Sequence, residues 1–289
     1  MRCVYAILNV IIATVASTAQ GAFKKYLNVR CQKCEFTVST MITFFAFIFF
    51  LIFSDKITFS RDFLPYCGVY AVCYACAAVT FVLAIACGSL AMTQLILSYC
   101  CVIPMIYSLM CGETLGIVQI IGIILLFLSL MVTYYRKSKP GEGKTASAKW
   151  IFYIVLLFLS NGFCGVISRM QQLRFGGVYD RSFMLVSLGL AVILLAVAAI
   201  LREGSRMVGA IKEGVWLSAG CGASNGLANF FNLICLATIP NAVYYPVKSA
   251  ADLLLAAAMS VFLFKEKLRP AQYVGVGLGA LALVFINIS

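Results

Sequence analysis

The sequence predicts an all-α, polytopic membrane protein of ten transmembrane helices, arranged as two inverted five-helix repeats. Three observations carry this expectation. Hydrophobic residues make up 63% of the chain, charged residues only 11%, and the mean hydropathy is +1.02. A soluble domain is ~45–50% apolar and ~25% charged, so lipid must solvate most of this chain. Ten apolar runs each approach the ~20 residues that a hydrocarbon core of ~30 Å requires. Finally, one motif occurs twice. Glu113-Thr114-Leu115 with Gln119 and Gly122 returns as Glu266-Lys267-Leu268 with Gln272 and Gly275, at an offset of 153 residues. A self-match placed alike in both halves of a membrane chain marks a duplicated bundle.

The runs fall at 3–22, 36–53, 65–87, 90–111, 116–135, 150–168, 183–201, 214–238, 242–264 and 270–288. The first carries Asn9, Thr14, Ser17, Thr18 and Gln20 and is followed by Lys24-Lys25, which reads as a loop flank. It is therefore taken as a helix and not as a cleaved signal peptide. The stretch 65–111 is too long for one span, and Gly88-Ser89 is the expected turn. After the fifth run, Arg136–Lys149 alternates charge with Pro, Gly and Ser and forms a solvated basic linker. The chain thus divides into a first repeat (1–135), a linker (136–149) and a second repeat (150–289). Ile239-Pro240-Asn241 breaks the apolar stretch 214–264, because Pro followed by Asn favours a turn. Five spans per repeat, an odd number, force the two halves into opposite orientations.

The net charge of +12 lies between apolar runs and forms no stripe on a soluble domain, so membrane loops explain it and nucleic acid is excluded as a partner. A cytoplasmic N-terminus would leave that side with only Arg2, Lys56, Arg61, Arg169, Arg174 and Arg181. The opposite side would hold Lys24, Lys25, Arg30, Lys33, the linker cluster, Arg202, Arg206, Lys212, Lys265, Lys267 and Arg269. The positive-inside rule therefore favours both termini outside. Trp150 and Trp216 mark the interface on the basic side.

The 13 cysteines are scattered, and Cys31 and Cys34 form a lone C-x-x-C in a chain without histidine. A zinc site needs more ligands, so free thiols and no metal are expected. No cofactor is implied. No G-x-x-x-x-G-K-[ST] is present, which argues against direct ATP drive.

Each motif glutamate stands at the turn entering the fifth or tenth helix. There a carboxylate meets unpaired N–H groups and the positive end of the helix dipole. Gly122 and Gly275 permit close helix approach, and Gly279 extends the second copy into a G-x-x-x-G edge. The motif is thus a helix-joining device and not a substrate site. Both copies, Cys111-Gly112-Glu113-Thr114-Leu115 and Phe264-Lys265-Glu266-Lys267-Leu268 with their following Gln and Gly, precede a Gly/Ala/Leu-rich last helix. In this the chain resembles the EamA-type members of the drug/metabolite transporter superfamily. The resemblance implies a central cavity walled by helices of both halves, which rock to give alternating access in the cell membrane. It also implies cytoplasmic termini, opposite to the loop charges, and the orientation stays open.

Ionisable groups inside a membrane are costly and point to function. Lys248 and Asp252 lie well inside the ninth run, at i,i+4 spacing on one face. Two readings stand. The pair neutralises itself as a folding device, or Lys248 meets an anionic solute group while Asp252 restrains it or carries a coupling proton. Their counterparts in the first half, Leu95 and Tyr99, carry no charge. Asn225, Asn229 and Asn232 run down one face of the eighth helix, continued by Ser218 and Gly222. Three amides in lipid cost too much, so this stripe must face protein or a wet cavity. Tyr244 and Tyr245 supply an aromatic wall. Asn9, Thr14, Ser17, Gln94 and Ser98 in the first half and Asn161 in the sixth helix are weaker candidates.

The expected function is secondary transport of a small polar metabolite, namely a carboxylate-bearing, phosphate-bearing or zwitterionic solute, with a proton or ion as a candidate coupling partner. Export of cationic or amphiphilic drugs is the alternative, resting on the 13% aromatic content and Asp252. An integral-membrane enzyme or a scaffold is the rival from another class. Without histidine and with its acids mostly in loops, the chain reads as no enzyme.

Overall fold

The computed structural model describes residues 2–31, 34–53, 58–87, 97, 100–112, 116–134, 148–240, 243–245, 247–249, 251–252, 255, 274–275, 277–279, 281–282 and 285. Among the described residues the regular structure is helical throughout: α1 (Arg2–Arg30), α2 (Glu35–Phe53), α3 (Leu64–Cys87, entered by a 3-10 turn over Arg61–Phe63), α4 (Val102–Met110), α5 (Ile117–Tyr134), α6 (Ala148–Phe175), α7 (Asp180–Glu203) and α8 (Arg206–Thr238). Residues 243–255 and 274–285 are also helical wherever they are described. The expected turn at Gly88-Ser89, the linker up to residue 147, Gln94, and the motif glutamates Glu113 and Glu266 lie outside the described residues.

Among the described residues, five helical segments are long and apolar enough to cross a membrane: Ile7–Lys24, Glu35–Phe53, Arg61–Cys87, Ala148–Phe175 and Asp180–Glu203. Segment α2 shows why they are helices. Its Phe- and Ile-rich run would suit a strand in water. In hydrocarbon, however, every backbone N–H and C=O must be satisfied within the segment, which a helix alone achieves without an edge. Hydroxyls obey the same demand: Thr14, Ser17, Thr18, Thr40, Thr43 and Thr80 each donate to the carbonyl four residues back. Although α8 spans 33 residues, it is not among the five, because its asparagines, serines and glycines dilute the apolar content.

Three helices overrun their apolar runs. Lys24-Lys25 is not a loop flank: α1 continues through it to Arg30, α6 passes Arg169 and Arg174, and α8 begins at Arg206. Lysine and arginine are good helix formers, so a charge ends the apolar pattern without ending the hydrogen-bond ladder. The Lys24 ammonium sits 4.6 Å above the Phe81 ring, and Arg174 donates to the Tyr66 hydroxyl at 3.0 Å. The break before Pro240 occurs where expected. Helix α8 stops at Thr238, and Ile239 is extended (φ −119°, ψ 136°), as a residue preceding proline prefers. Between α6 and α7, Gly176 and Gly177 adopt φ of 60° and 77°, which opens a tight reversal to glycine alone.

Contacts fix the helix directions. Helix α1 lies antiparallel to α8, with Val10 beside Cys235 and Leu236, the Gln20 carbonyl accepting from Cys221 Sγ, and Leu27 beside Ala210. Helix α2 runs parallel to α8 and antiparallel to α7, where Phe47 packs on Gly189. Helix α3 is parallel to α7 (Cys67 at Phe183, Ala71 and Ala75 at Ala191 and Leu195) and antiparallel to α6 (Tyr66 at Phe175, Phe81 at Leu157). Helices α1, α3 and α7 thus run one way, and α2, α6 and α8 the other. The largest core gathers Ala46, Phe50, Cys67, Tyr70, Ile167, Phe183, Leu188 and Leu233 from five of these helices.

Two devices lock α2. At its middle, a Cβ on Gly222 would stand 2.5 Å from the Ile42 carbonyl oxygen and 3.0 Å from the Ala46 nitrogen, so the two backbones meet. At its start, the buried Glu203 carboxylate accepts from the N–H groups of Phe36 (2.7 Å) and Thr37 (2.9 Å) and from the Thr37 hydroxyl. The last turn of α7 thereby caps the first turn of α2, at the end where the helix dipole favours an anion.

Gly222→Ala should lower the melting temperature in detergent, at a cost of about 1–3 kcal/mol from overpacking. Gly68→Ala, where nothing lies within 4 Å, should leave it unchanged or raise it. Glu203→Ala orphans the buried Thr37 N–H and the part-buried Phe36 N–H and should cost about 2 kcal/mol in the same assay. An unaltered melting curve would reject the cap.

Candidate functional site

The ammonium of Lys248, 9% exposed, donates to Asp252 Oδ1 (2.7 Å), Asp252 Oδ2 (2.6 Å) and Ser17 Oγ (2.9 Å). Ser17 spends its own proton on the Ala13 carbonyl at 2.9 Å, so toward the lysine it offers only lone pairs. The helical turn joining Lys248 to Asp252 sets the pair, and α1 brings Ser17 from the other half of the chain.

The asparagine stripe on α8 faces protein. Asn225, 7% exposed, donates to the Tyr74 hydroxyl on α3 and accepts from Asn229 through its carbonyl. One turn on, Asn232 accepts from the Tyr244 hydroxyl. Tyr244 is buried between Val10, Cys235 and Leu236, and its ring meets that of Tyr245 edge to face. The Tyr245 hydroxyl reaches the Gly165 carbonyl on α6 at 3.3 Å. A Cβ on Gly165 would stand 2.9 Å from that hydroxyl and 3.0 Å from Pro104 of α4, so the glycine admits both neighbours.

The polar network is thus a set of neighbouring groups: Asn225 and Asn229 with Tyr74 of α3, Asn232 with Tyr244, Tyr245 with the Gly165 carbonyl of α6, and Lys248 and Asp252 with Ser17 of α1. Asn9 is half-buried on α1, two turns before Ser17, and Asn161 is exposed on α6 near Cys100; neither bonds to the network. Gln94 lies outside the described residues. Tyr74 was not anticipated from the sequence. Its signal is Tyr70-x-x-x-Tyr74, two hydroxyls on one face of an otherwise apolar helix, whose rings stack at 6.0 Å. A second polar cluster, also not anticipated, ties α6 to α7. There the buried Asp180 accepts from Gln171 and from Gln172 Nε2, the latter at 3.0 Å.

On the basic side, the Cys31 and Cys34 thiols point at the carbonyls of Ala210 (3.7 Å) and Arg206 (3.9 Å) of α8. Burial pushes both thiols above the ordinary cysteine range, and nearby carboxylates, Glu213 for Cys31 and Glu203 for Cys34, push the same way. Among the described residues, no three His, Cys, Asp or Glu side chains converge to hold a metal. Since the thiolate is the reactive form, Cys31 and Cys34 should alkylate at least about tenfold more slowly than the exposed Cys111, as read by mass spectrometry of maleimide-treated protein.

Among the described residues, these features define an all-helical fold with five helices suited to crossing a membrane and polar groups set among them. No family model matches the chain, and no curated protein matches it. Of 28 matching chains of solved structure, one crystal structure of a protein, 14% identical in sequence, aligns with 98% of this chain and 96% of its own length at a TM-score of 0.68. At that identity the likeness concerns the fold alone.

Proposed function

We propose that the chain is a multi-pass cell-membrane transporter, built as two inverted five-helix repeats, that moves a small polar metabolite by alternating access. The helix directions support the inverted halves: α1 and α6, α2 and α7, and α3 and α8 each run oppositely. The contacts support an exchange of halves as well. Shifting each helix by five turns the α1–α8 pair into α6–α3 and the α2–α8 pair into α7–α3, and it leaves α2–α7 unchanged. The α4–α6 pair becomes the contact of the ninth run with α1, which Lys248–Ser17 and Tyr244–Val10 supply. Ser129 of α5 donates to the Gly275 carbonyl at 2.6 Å, and the residues 153 positions away from these two, Ala282 and Gly122, are both buried. The doubled motif and its resemblance to EamA-type transporters agree with this architecture.

One observation carries the functional reading: a membrane-embedded lysine of the second half, held by Asp252 and touching Ser17 of the first. A site bonded to both halves is the place where rocking and binding are coupled. Lys248 favours a carboxylate, a phosphate or the anionic end of a zwitterion, and the asparagines and tyrosines provide the uncharged contacts. Export of a cationic, aromatic-rich solute is supported by a different observation. The Asp252 side chain is 35% exposed against 11% for Lys248, and it lies near Tyr244.

In proteoliposomes, Lys248→Ala, checked as folded and monodisperse, should reduce saturable uptake of a responsive solute at least about tenfold. Unchanged uptake of every responsive solute by folded Lys248→Ala would remove the anionic-solute reading. A loss confined to Asp252 variants and cationic solutes would favour the exporter. An enzyme or scaffold would show no saturable uptake or counterflow at all.

A further inference from the structure

The Lys248 ammonium meets both carboxylate oxygens of Asp252 and the hydroxyl of Ser17. The lysine's charge is thereby neutralised by a group of the chain itself. This bears on the transport cycle. To change sides, a carrier must pass through a state in which its centre is closed to water on both faces. A lone ammonium in such a dry site costs several kcal/mol, whereas a bonded ion pair costs far less. A carrier whose lysine had no partner of its own would cross only with an anionic group bound, and would be confined to exchange.

We propose that Asp252 is the resident counter-ion of Lys248, which lets the empty carrier return and makes net transport, rather than obligatory exchange, the native mode. The proposal rests on Lys248 being a solute-contact residue. The side chains suit the role unequally. Lys248 is sunk against Ser17, while Asp252 keeps a third of its surface open, so the carboxylate is the member free to swing aside when a solute takes its place. The i,i+4 spacing also makes reclosure local: the carboxylate returns through rotamers of one helical turn, without any helix moving. The first half has Leu95 and Tyr99 at the equivalent positions, so no second charge there is left to balance.

The test compares net uptake into solute-free proteoliposomes with counterflow into preloaded ones, for one transported solute. Wild-type protein should support both at comparable initial rates. Asp252→Asn should lower net uptake at least about tenfold more than it lowers counterflow, because only its empty carrier would strand an uncompensated lysine. Asp252→Glu, which restores the charge, should recover net uptake. Strict exchange by wild-type protein would overturn the proposal whether or not Asp252→Asn folds, and so would full net uptake by folded Asp252→Asn. Failure of the underlying site looks different: Lys248→Ala would then leave net uptake and counterflow both intact.

Discussion

The close approach of α2 to α8 is the contact around which the rest of the helices are arranged. Helices in lipid gain little from hiding apolar surface from one another, so their association depends on packing and on polar bonds made at short range. At Gly222 no side chain separates the two backbones, and one turn later Gly226 makes room for the Phe49 side chain. From that seam α8 presents its asparagines toward Tyr74, and α2 extends to the Glu203 cap that joins it to α7. Because α2 belongs to the first half and α8 to the second, the seam is also where the two halves are held together.

Much of the fold is legible in the sequence because the solvent is so restrictive. Hydropathy locates the immersed part of α1, α2, α3, α6 and α7 well, and Pro240 marks the end of α8 by local stereochemistry alone. It fails at helix ends. Lys24, Arg174 and Arg206 continue helices that the apolar pattern would terminate, since a charge needs a place for its head group, such as the Phe81 ring or the Tyr66 hydroxyl, and such neighbours are distant in sequence. Hydropathy also undervalues α8, whose polar residues look like dilution in one dimension but form a bonded face in three.

The candidate site divides along similar lines. Lys248, Asp252 and the asparagine stripe stand out because each is expensive in lipid and regularly spaced. Their partners do not stand out. Tyr74 is an ordinary residue of an apolar helix, and Ser17 is one of several weak polar candidates; packing brings Asn225 to the first and Lys248 to the second. Asn9 and Asn161 show the converse, since polarity within an apolar run is not sufficient for membership of a network. Asp180 and Glu203 sit at helix ends, where a carboxylate is unremarkable until its bonds across to neighbouring groups are seen.

The length of α8 has a mechanical side. At 1.5 Å per residue its 33 residues extend for roughly 50 Å, well beyond a hydrocarbon core of ~30 Å. Its close backbone contact at Gly222 lies near the midpoint, leaving an arm of roughly 24 Å from there to Arg206. A rod pinned at its middle is a lever, and each degree of tilt about that pin moves the Arg206 end by roughly 0.4 Å. That end bears on the Cys34 thiol through the Arg206 carbonyl and adjoins Glu203. A slight rotation at the glycine seam is therefore felt at both ends of the helix, and so at the basic rim, far from the pivot.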